Sequence, residues 1–345
     1  MSAGSFNEIP ASIERLLPSG QTFLECFLMT IFTSDLFDSA LLDPVRKGCD
    51  ELIVLSGYSN ASVVNHFLGE CDRLRLPAPA VKLIIGMGHQ IGGLTLRGLR
   101  QLEADAQSRF SCGVISEAPY VHSKVYLWLR QGEPQTAFLG SANFSQNGLL
   151  GLQREVLTEV DATDAQLVID GESARAVSCS DASLDEMINV SELESLTNFG
   201  GVALRDSSSL QSVTISLVTD KRGPLRVPER SGLNWGNRPE HNRDPNQAEL
   251  RVTAEINRSK FFPPVGVHFS VLTDDGEVFN CVRAQSGGKA IESNPSNAAL
   301  GRYFRRRLGL ASGSVVTLED LDRYGRRDVT FFRVDEHESL LDFSR

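Results

Sequence analysis

The stretch Val121-His-Ser-Lys-Val-Tyr-Leu-Trp-Leu-Arg-Gln-Gly-Glu-Pro-Gln-Thr-Ala-Phe-Leu-Gly-Ser-Ala-Asn-Phe-Ser145 decides how this chain is read. Its apolar content predicts two strands, over 121–129 and 136–139. On a strand, residues 122 and 124 point to one face, so His122 and Lys124 converge while Ser123 packs behind. At the end of the second strand Gly140 permits close backbone approach, Ser141 offers a hydroxyl and Asn143 an amide. A lysine and an amide can neutralise and hydrogen-bond phosphate oxygens while an imidazole attacks phosphorus. The grouping therefore predicts phosphodiester chemistry that needs no metal.

Working outward, strand and helix signals alternate. Helical periodicity covers 24–42. The run Glu51-Leu-Ile-Val-Leu-Ser56 reads as a buried strand ending at Gly57, and Val81-Lys-Leu-Ile-Ile85 as another closed by Gly86. Helices are expected over 61–68 and 94–106, with further strands over 110–115 and 154–160. Such alternation implies an α/β sheet with helices on its faces, and ligand sites beyond its strand ends.

No apolar run approaches the roughly 20 residues needed to cross a bilayer; Phe23 to Phe32 is too short and contains Glu25. No basic-then-apolar leader is seen at the start. The six scattered cysteines lack a CxxC pair and read as reduced thiols of a cytoplasmic protein. Net charge is −10, but unevenly spread: residues 1–200 hold 13 Lys+Arg against 25 Asp+Glu, and residues 201–345 hold 21 against 19. That asymmetry directs attention to the C-terminal part as a nucleic-acid surface. Only six of the 34 basic residues are lysine, so the charge is mostly guanidinium, suited to phosphates and guanine edges. Between Asp161 and Glu194 nine acids accompany the single base Arg175. The segment reads as the end of a first domain plus a linker, either a solvated face or an acidic cover over a DNA-binding surface.

From about residue 205 short strands are expected over 212–218, 248–254, 267–272, 278–284 and 328–334, with helices over 297–308 and 318–324. This spacing implies a small β-barrel or pseudobarrel. The loop from Lys221 to Arg243 carries Lys221, Arg222, Arg226, Asn234, Trp235, Arg238 and Arg243, followed by Asn246 and Gln247. Arg suits guanine, and Asn and Gln suit adenine; the bland alternative is a simple turn. Arg306, within the cluster Arg302, Arg305, Arg306 and Arg307, is either a phosphate contact or part of a helix end favoured by the dipole. Rival sites are weak. The glycine-rich 86–93 lacks a Gly-Lys-Ser/Thr, no lysine stands in an ExK, and no HExxH or zinc spacing occurs.

His122, Lys124, Gly140, Ser141 and Asn143 together resemble the phospholipase D superfamily signature, HxK followed by a Gly-Ser element and an asparagine, here Gly140-Ser141-Ala142-Asn143. The acid expected soon after the lysine is missing from 125–131, which fits the superfamily's nuclease branch. There a glutamate after the asparagine serves instead, and Glu155 stands in the matching place, implied to orient the imidazole. The segments 231–238, 246–249, 261–263, 273–276, 306–309, 319–321, 324–326 and 342–344 resemble the C-terminal domain of NgoFVII-type restriction endonucleases. Relatives of the BfiI kind join a metal-independent nuclease dimer to a pseudobarrel like the plant B-three domain. The resemblance implies a nuclease domain over 1–165, an acidic end and linker over 166–204, and a DNA-recognition domain over 205–345. It also implies a bacterial, cytoplasmic enzyme acting on double-stranded DNA, with no cofactor of its own and in some members a separate helicase-like ATPase.

One HxK per chain cannot supply both the nucleophile and the proton donor on opposite sides of phosphorus, so a homodimer sharing one site is expected. The alternatives are a phospholipase D-like non-specific phosphodiesterase and a catalytically inactive DNA-binding regulator.

Overall fold

The computed structural model describes residues 30–150, 153–187, 210–221, 223–294, 296–334 and 336–345. The first sheet has eight strands: β1 (Ile31–Phe32), β2 (Glu51–Ser56), β3 (Ala80–Ile85), β4 (Phe110–Val114), β5 (Val125–Arg130), β6 (Glu133–Gly140), β7 (Leu157–Val160) and β8 (Val177–Ser178). Their order is β1-β7-β6-β5-β2-β3-β4-β8. The β2–β3 and β3–β4 pairs are parallel and β2–β5 is antiparallel. The helices are α1 (Asp43–Arg46), α2 (Ala61–Leu74), α3 (Gly93–Ala106), α4 (Gln146–Leu149), α5 (Ala162–Ser173) and α6 (Leu184–Met187).

The central strands are apolar on both faces because both are covered. Leu52 and Val54 face one core with Tyr126 and Trp128, under α2 and α3. Ile53 and Leu55 face the other with Val125 and Leu127, under α5 through Ala165 and Ile169. On α2, Val63, Val64, Phe67 and Cys71 form the buried stripe, and Asn60 caps the helix by accepting from the Val63 N–H (3.2 Å). Each fully buried side chain of this size contributes about 1.5–3 kcal/mol.

Two expectations need correcting. The helix predicted over 24–42 is a strand at Ile31–Phe32, and helix begins only at residue 36; residues 24–29 lie outside the described part. The strand predicted over 121–129 begins at Val125. Residues 166–187, in the segment read as the acidic end of the first domain plus a linker, carry most of α5 and add β8 to the edge of the sheet beside β4. The acids there serve local ends: Asp161 caps α5, Glu172 pairs with Arg175 and Asp185 with Arg100. The partners of these three acids lie in the first domain. Residues 188–204 lie outside the described part.

The second sheet holds β9 (Ser212–Ser216), β10 (Leu250–Arg251), β11 (His268–Thr273), β12 (Val278–Ala284), β13 (Ala290–Ser293), β14 (Asp328–Arg333) and β15 (Glu338–Asp342). Their order is β10-β13-β12-β11-β15-β14-β9, and the edge strands β9 and β10 approach each other to give a nearly closed barrel. Its core gathers Phe262, Phe269, Phe304, Phe331 and Phe343. Short helices α7 (Ala254–Arg258), α8 (Ala298–Arg307) and α9 (Leu318–Tyr324) flank it. The expected strand 248–254 shrinks to two residues because Thr253 caps α7, its hydroxyl accepting from Ile256 N–H (3.2 Å). Among the described residues no helix is long and apolar enough to cross a membrane.

Candidate active site

The chain leaves β4 on one side of β3 and enters β5 on the far side of β2. The connection must therefore cross the ends of β3 and β2. Ile115 N–H bonds Ile85 O (2.9 Å), and Val121 N–H bonds Gly86 O (3.0 Å). A Cβ at Gly86 would lie 2.0 Å from Val121 O, so only glycine permits the crossing there. His122, Ser123 and Lys124 are thus delivered by an irregular segment over the end of β2, not by strand alternation.

The crossing meets Gly57. A Cβ at that position would stand 3.2 Å from His122 Cδ2, 3.4 Å from Lys124 Nζ and 3.4 Å from Asn143 Oδ1. Three of the predicted residues therefore converge on one glycine, which the sequence reading treated only as the end of a strand. Lys124 is buried, and its Nζ donates to His122 O (2.5 Å) and lies 3.1 and 3.2 Å from the two imidazole nitrogens. Burial lowers the ammonium pKa, and the nearby Glu155 charge opposes that shift. His122 is exposed.

Asn143 is held by its oxygen. Tyr58 N–H donates to Asn143 Oδ1 (3.2 Å), which leaves the Nδ2 amide to donate elsewhere. Buried Ser56, at the end of β2, ties the two loops: its hydroxyl donates to Tyr58 O (2.5 Å) and accepts from Phe144 N–H (3.0 Å). Ser141 accepts from Val156 N–H (3.1 Å) and donates to Glu155. Glu155, expected to orient the imidazole, instead meets the Ser141 hydroxyl, and the imidazole's hydrogen-bonding neighbour is Lys124. The reason is geometric: Gly140 pairs with Leu157, which places Ser141 rather than His122 beside Glu155.

In the second domain the predicted ligand residues divide. Asn234 is buried and saturated, donating to Pro228 O (3.1 Å) and Val316 O (2.8 Å) and accepting from Val316 N–H (2.8 Å). Asn246 is also buried, accepting from Gly313 N–H (2.6 Å) and donating to Asp244 (3.0 Å). Arg306 is paired with Asp275 (2.6 Å) and Glu277 (2.5 Å). The two buried asparagines serve the scaffold, contrary to expectation, while Arg306 is exposed. Arg226 bonds within its own turn, to Lys221 O (3.2 Å) and Pro224 O (3.3 Å), while Lys221 is exposed. Arg222 lies outside the described residues.

Trp235, Arg238, Arg243 and Gln247 stand together. The Arg243 guanidinium lies 3.7 Å from the Trp235 ring centre and that of Arg238 5.9 Å. Arg243 Nη1 and Gln247 Oε1 are buried without a hydrogen-bond partner. Burial raises the carboxyl pKa of Glu249 and of Glu292, each within electrostatic reach of Arg243. Neither acid was singled out from the sequence.

Residues 34–186 match the model of the NgoFVII restriction endonuclease N-terminal PLD domain, and residues 207–335 that of the NgoFVII C-terminal B3-like DNA-binding domain. The chain belongs to the NgoFVII restriction endonuclease family. Its phospholipase D-like α/β domain and B3-like barrel are the architecture expected from the sequence. The chain is also similar to solved structures, two of them at 13% identity. NucT from Helicobacter pylori has a TM-score of 0.31, with 44% of this chain and 98% of that one covered. The phospholipase D family member Nuc from Salmonella typhimurium has 0.33, with 44% and 96% covered. Comparison with curated proteins gives no match. In this NgoFVII-type chain, Gly57 and Ser56 are the site residues that sequence reading missed. The signal was present, since an apolar strand that ends in a serine and is followed by a glycine marks a strand end open to close approach.

Proposed function

We propose that this protein is a site-specific, type II-like restriction endonuclease. It hydrolyses DNA phosphodiesters through a phosphohistidine, without a metal in the chemical step. The observation that carries the reading is the convergence of His122, Lys124 and Asn143 on Gly57 in a phospholipase D-type domain with a single HxK. A ring nitrogen of His122 attacks phosphorus and the scissile P–O bond breaks. The departing oxygen takes a proton from the partner subunit's His122. Water then attacks phosphorus and loses its proton to the partner subunit's His122, the P–N bond breaks, and His122 is regenerated. The Lys124 ammonium and the Asn143 amide stabilise charge on the non-bridging oxygens, the part a metal would otherwise play. Ser141 and Glu155 hold each other and shape the wall beside them.

Trp235, Arg238, Arg243 and Gln247 are the proposed DNA contacts of the B3-like domain, with Lys221 and Arg226 toward the backbone. A separate helicase-like ATPase is a further partner, and the enzyme is placed in the bacterial cytoplasm.

The test uses the purified protein at high concentration, without nucleotide, so that a partner's magnesium requirement does not intrude. Cleavage of plasmid DNA should persist in EDTA; complete loss there defeats the metal-free step. Mixing wild-type subunits with His122→Ala subunits tests the shared site. Activity should fall as the square of the wild-type fraction, and a linear fall would show that each subunit works alone.

A further inference from the structure

Helix α4 follows Asn143 by three residues and joins the two domains. On one side it rests on the backbone of Asn143. A Cβ at Gly148 would lie 2.5 Å from Asn143 O and 3.0 Å from Asn143 N, and Ser145 N–H donates to Asn143 O (2.7 Å). On the other side it reaches the barrel. Strand β15 pairs with β11 only from Ser270 onward. At His268, before that pairing starts, the peptide is bonded by a side chain instead. Gln146 Nε2 donates to His268 O (2.6 Å), and His268 N–H donates to Gln146 Oε1 (2.9 Å). Gln146 is fully buried, and its amide also donates to Ser62 Oγ (3.2 Å), whose hydroxyl donates to the α2 cap Asn60 (2.6 Å). Asn147 adds two contacts to the β14–β15 turn, donating to Glu336 (2.7 Å) and lying 2.8 Å from His337 Nε2. The His268 ring lies 5.0 Å from that of His66 on α2, and Asn280 Nδ2 lies 2.8 Å from His268 Nδ1.

We propose that Gln146 is a positioning residue that makes the setting of Asn143 depend on the docked barrel. The paired amide bonds extend the β11 ladder into the catalytic loop, and α4 carries that constraint to Asn143 through Gly148. Movement of β11 when the barrel engages DNA therefore reaches the phosphate-binding amide directly. The proposal rests on the phosphodiesterase reading of the site. Without it the clamp would only join two domains.

The experiment uses the full-length protein and the Gln146→Leu and Gln146→Glu variants. Leucine fills the space with neither bond, and glutamate keeps an acceptor for the His268 N–H. Turnover of bis(p-nitrophenyl) phosphate at 25 °C and binding of orthovanadate are measured, with affinity for a labelled random-sequence duplex and thermal midpoints alongside. For Gln146→Leu, kcat and vanadate affinity should fall roughly tenfold to a hundredfold, the scale of an ångström of misplacement. KM and duplex affinity should stay within about threefold, because these substrates' other contacts are untouched. Gln146→Glu should lie between the two, and Asn147→Ala should show a smaller fall in the same direction. A lowered thermal midpoint with kcat and vanadate affinity within twofold of wild type would overturn the proposal and leave a structural clamp. Wild-type protein that neither turns over the diester nor binds vanadate would remove the underlying reading, and the clamp proposal with it.

Discussion

The two halves of this molecule use polar side chains in opposite ways. In the nuclease domain the site residues are bonded to one another or to strand ends: Lys124 to His122, Ser141 to Glu155, Asn143 to Tyr58 N–H. In the barrel most residues that could meet a ligand are bonded to the scaffold. Arg305 donates to four backbone carbonyls, of Ser314, Gly301, Leu233 and Pro245. Arg307 holds Asp274 (2.7 Å) and Phe343 O (2.9 Å). Arg243 differs, lying on Trp235 with Nη1 unpartnered. Reacting groups must be set beforehand, and their neighbours hold them. Reading groups must keep donors open, so a fully satisfied arginine is not one of them.

The hardest test of this division is His122→Ala. Cleavage should fall by more than about 10⁴-fold, the upper end of what positioned proton transfer alone contributes. Affinity for DNA should stay within a few-fold, read by gel shift. Parallel loss of both would break the contrast between the halves.

Buried and exposed arginines separate next. Arg305→Ala strands buried carbonyls and should cost on the order of 3 kcal/mol of stability, measured by urea unfolding. Arg306→Ala, an exposed ion pair, should change stability little. Comparable losses from both would show that burial is not what distinguishes them.

Acid should loosen the boundary between the halves. His268 has a pKa pushed down to about 4 from 6.5, first by burial and then by His66, while the Asn280 bond and Glu70 pull it back. His66 is also lowered by burial and by Arg73, against Glu70. A histidine with a depressed folded pKa binds fewer protons folded than unfolded, so stability falls as pH drops from about 6.5 toward 4. For His268 the full loss is on the order of 3 kcal/mol. A midpoint that is flat across that window, with a His268→Asn variant behaving identically, would remove the effect.

The smallest effect sharpens the reading side. Arg243→Ala should reduce the ratio of specific to random DNA affinity by about 1–3 kcal/mol at matched salt. An unchanged ratio with weaker overall binding would make Arg243 a backbone contact.

Much of this was legible in the residues. Glu51–Ser56 is predicted and found without change, because a strand covered on both faces must be apolar throughout. Leu318–Tyr324 is likewise found as predicted, fixed by its capping box between Thr317 and Asp320. The motif residues 122, 124, 141, 143 and 155 could be picked out because their chemistry is rare in such company. Strand β15 was missed, since Glu338-Ser-Leu-Leu-Asp342 has polar ends that are buried only once β11 and β14 close on it. Helix α5 was hidden by its acids, which sit on the solvent side of Ala165 and Ile169.

The sequence by itself determined the apolar periods, the caps and the inventory of reactive groups, because these are local properties of the chain. Only the tertiary structure decided that His122 and Lys124 arrive on a crossing over Gly86 and Gly57, that Glu155 meets Ser141, and that Arg305 is saturated by scaffold carbonyls while Arg243 keeps an unpartnered donor. Each of those depends on which distant segment approaches within hydrogen-bonding reach, and approach is set by strand order and packing rather than by any residue's own preference.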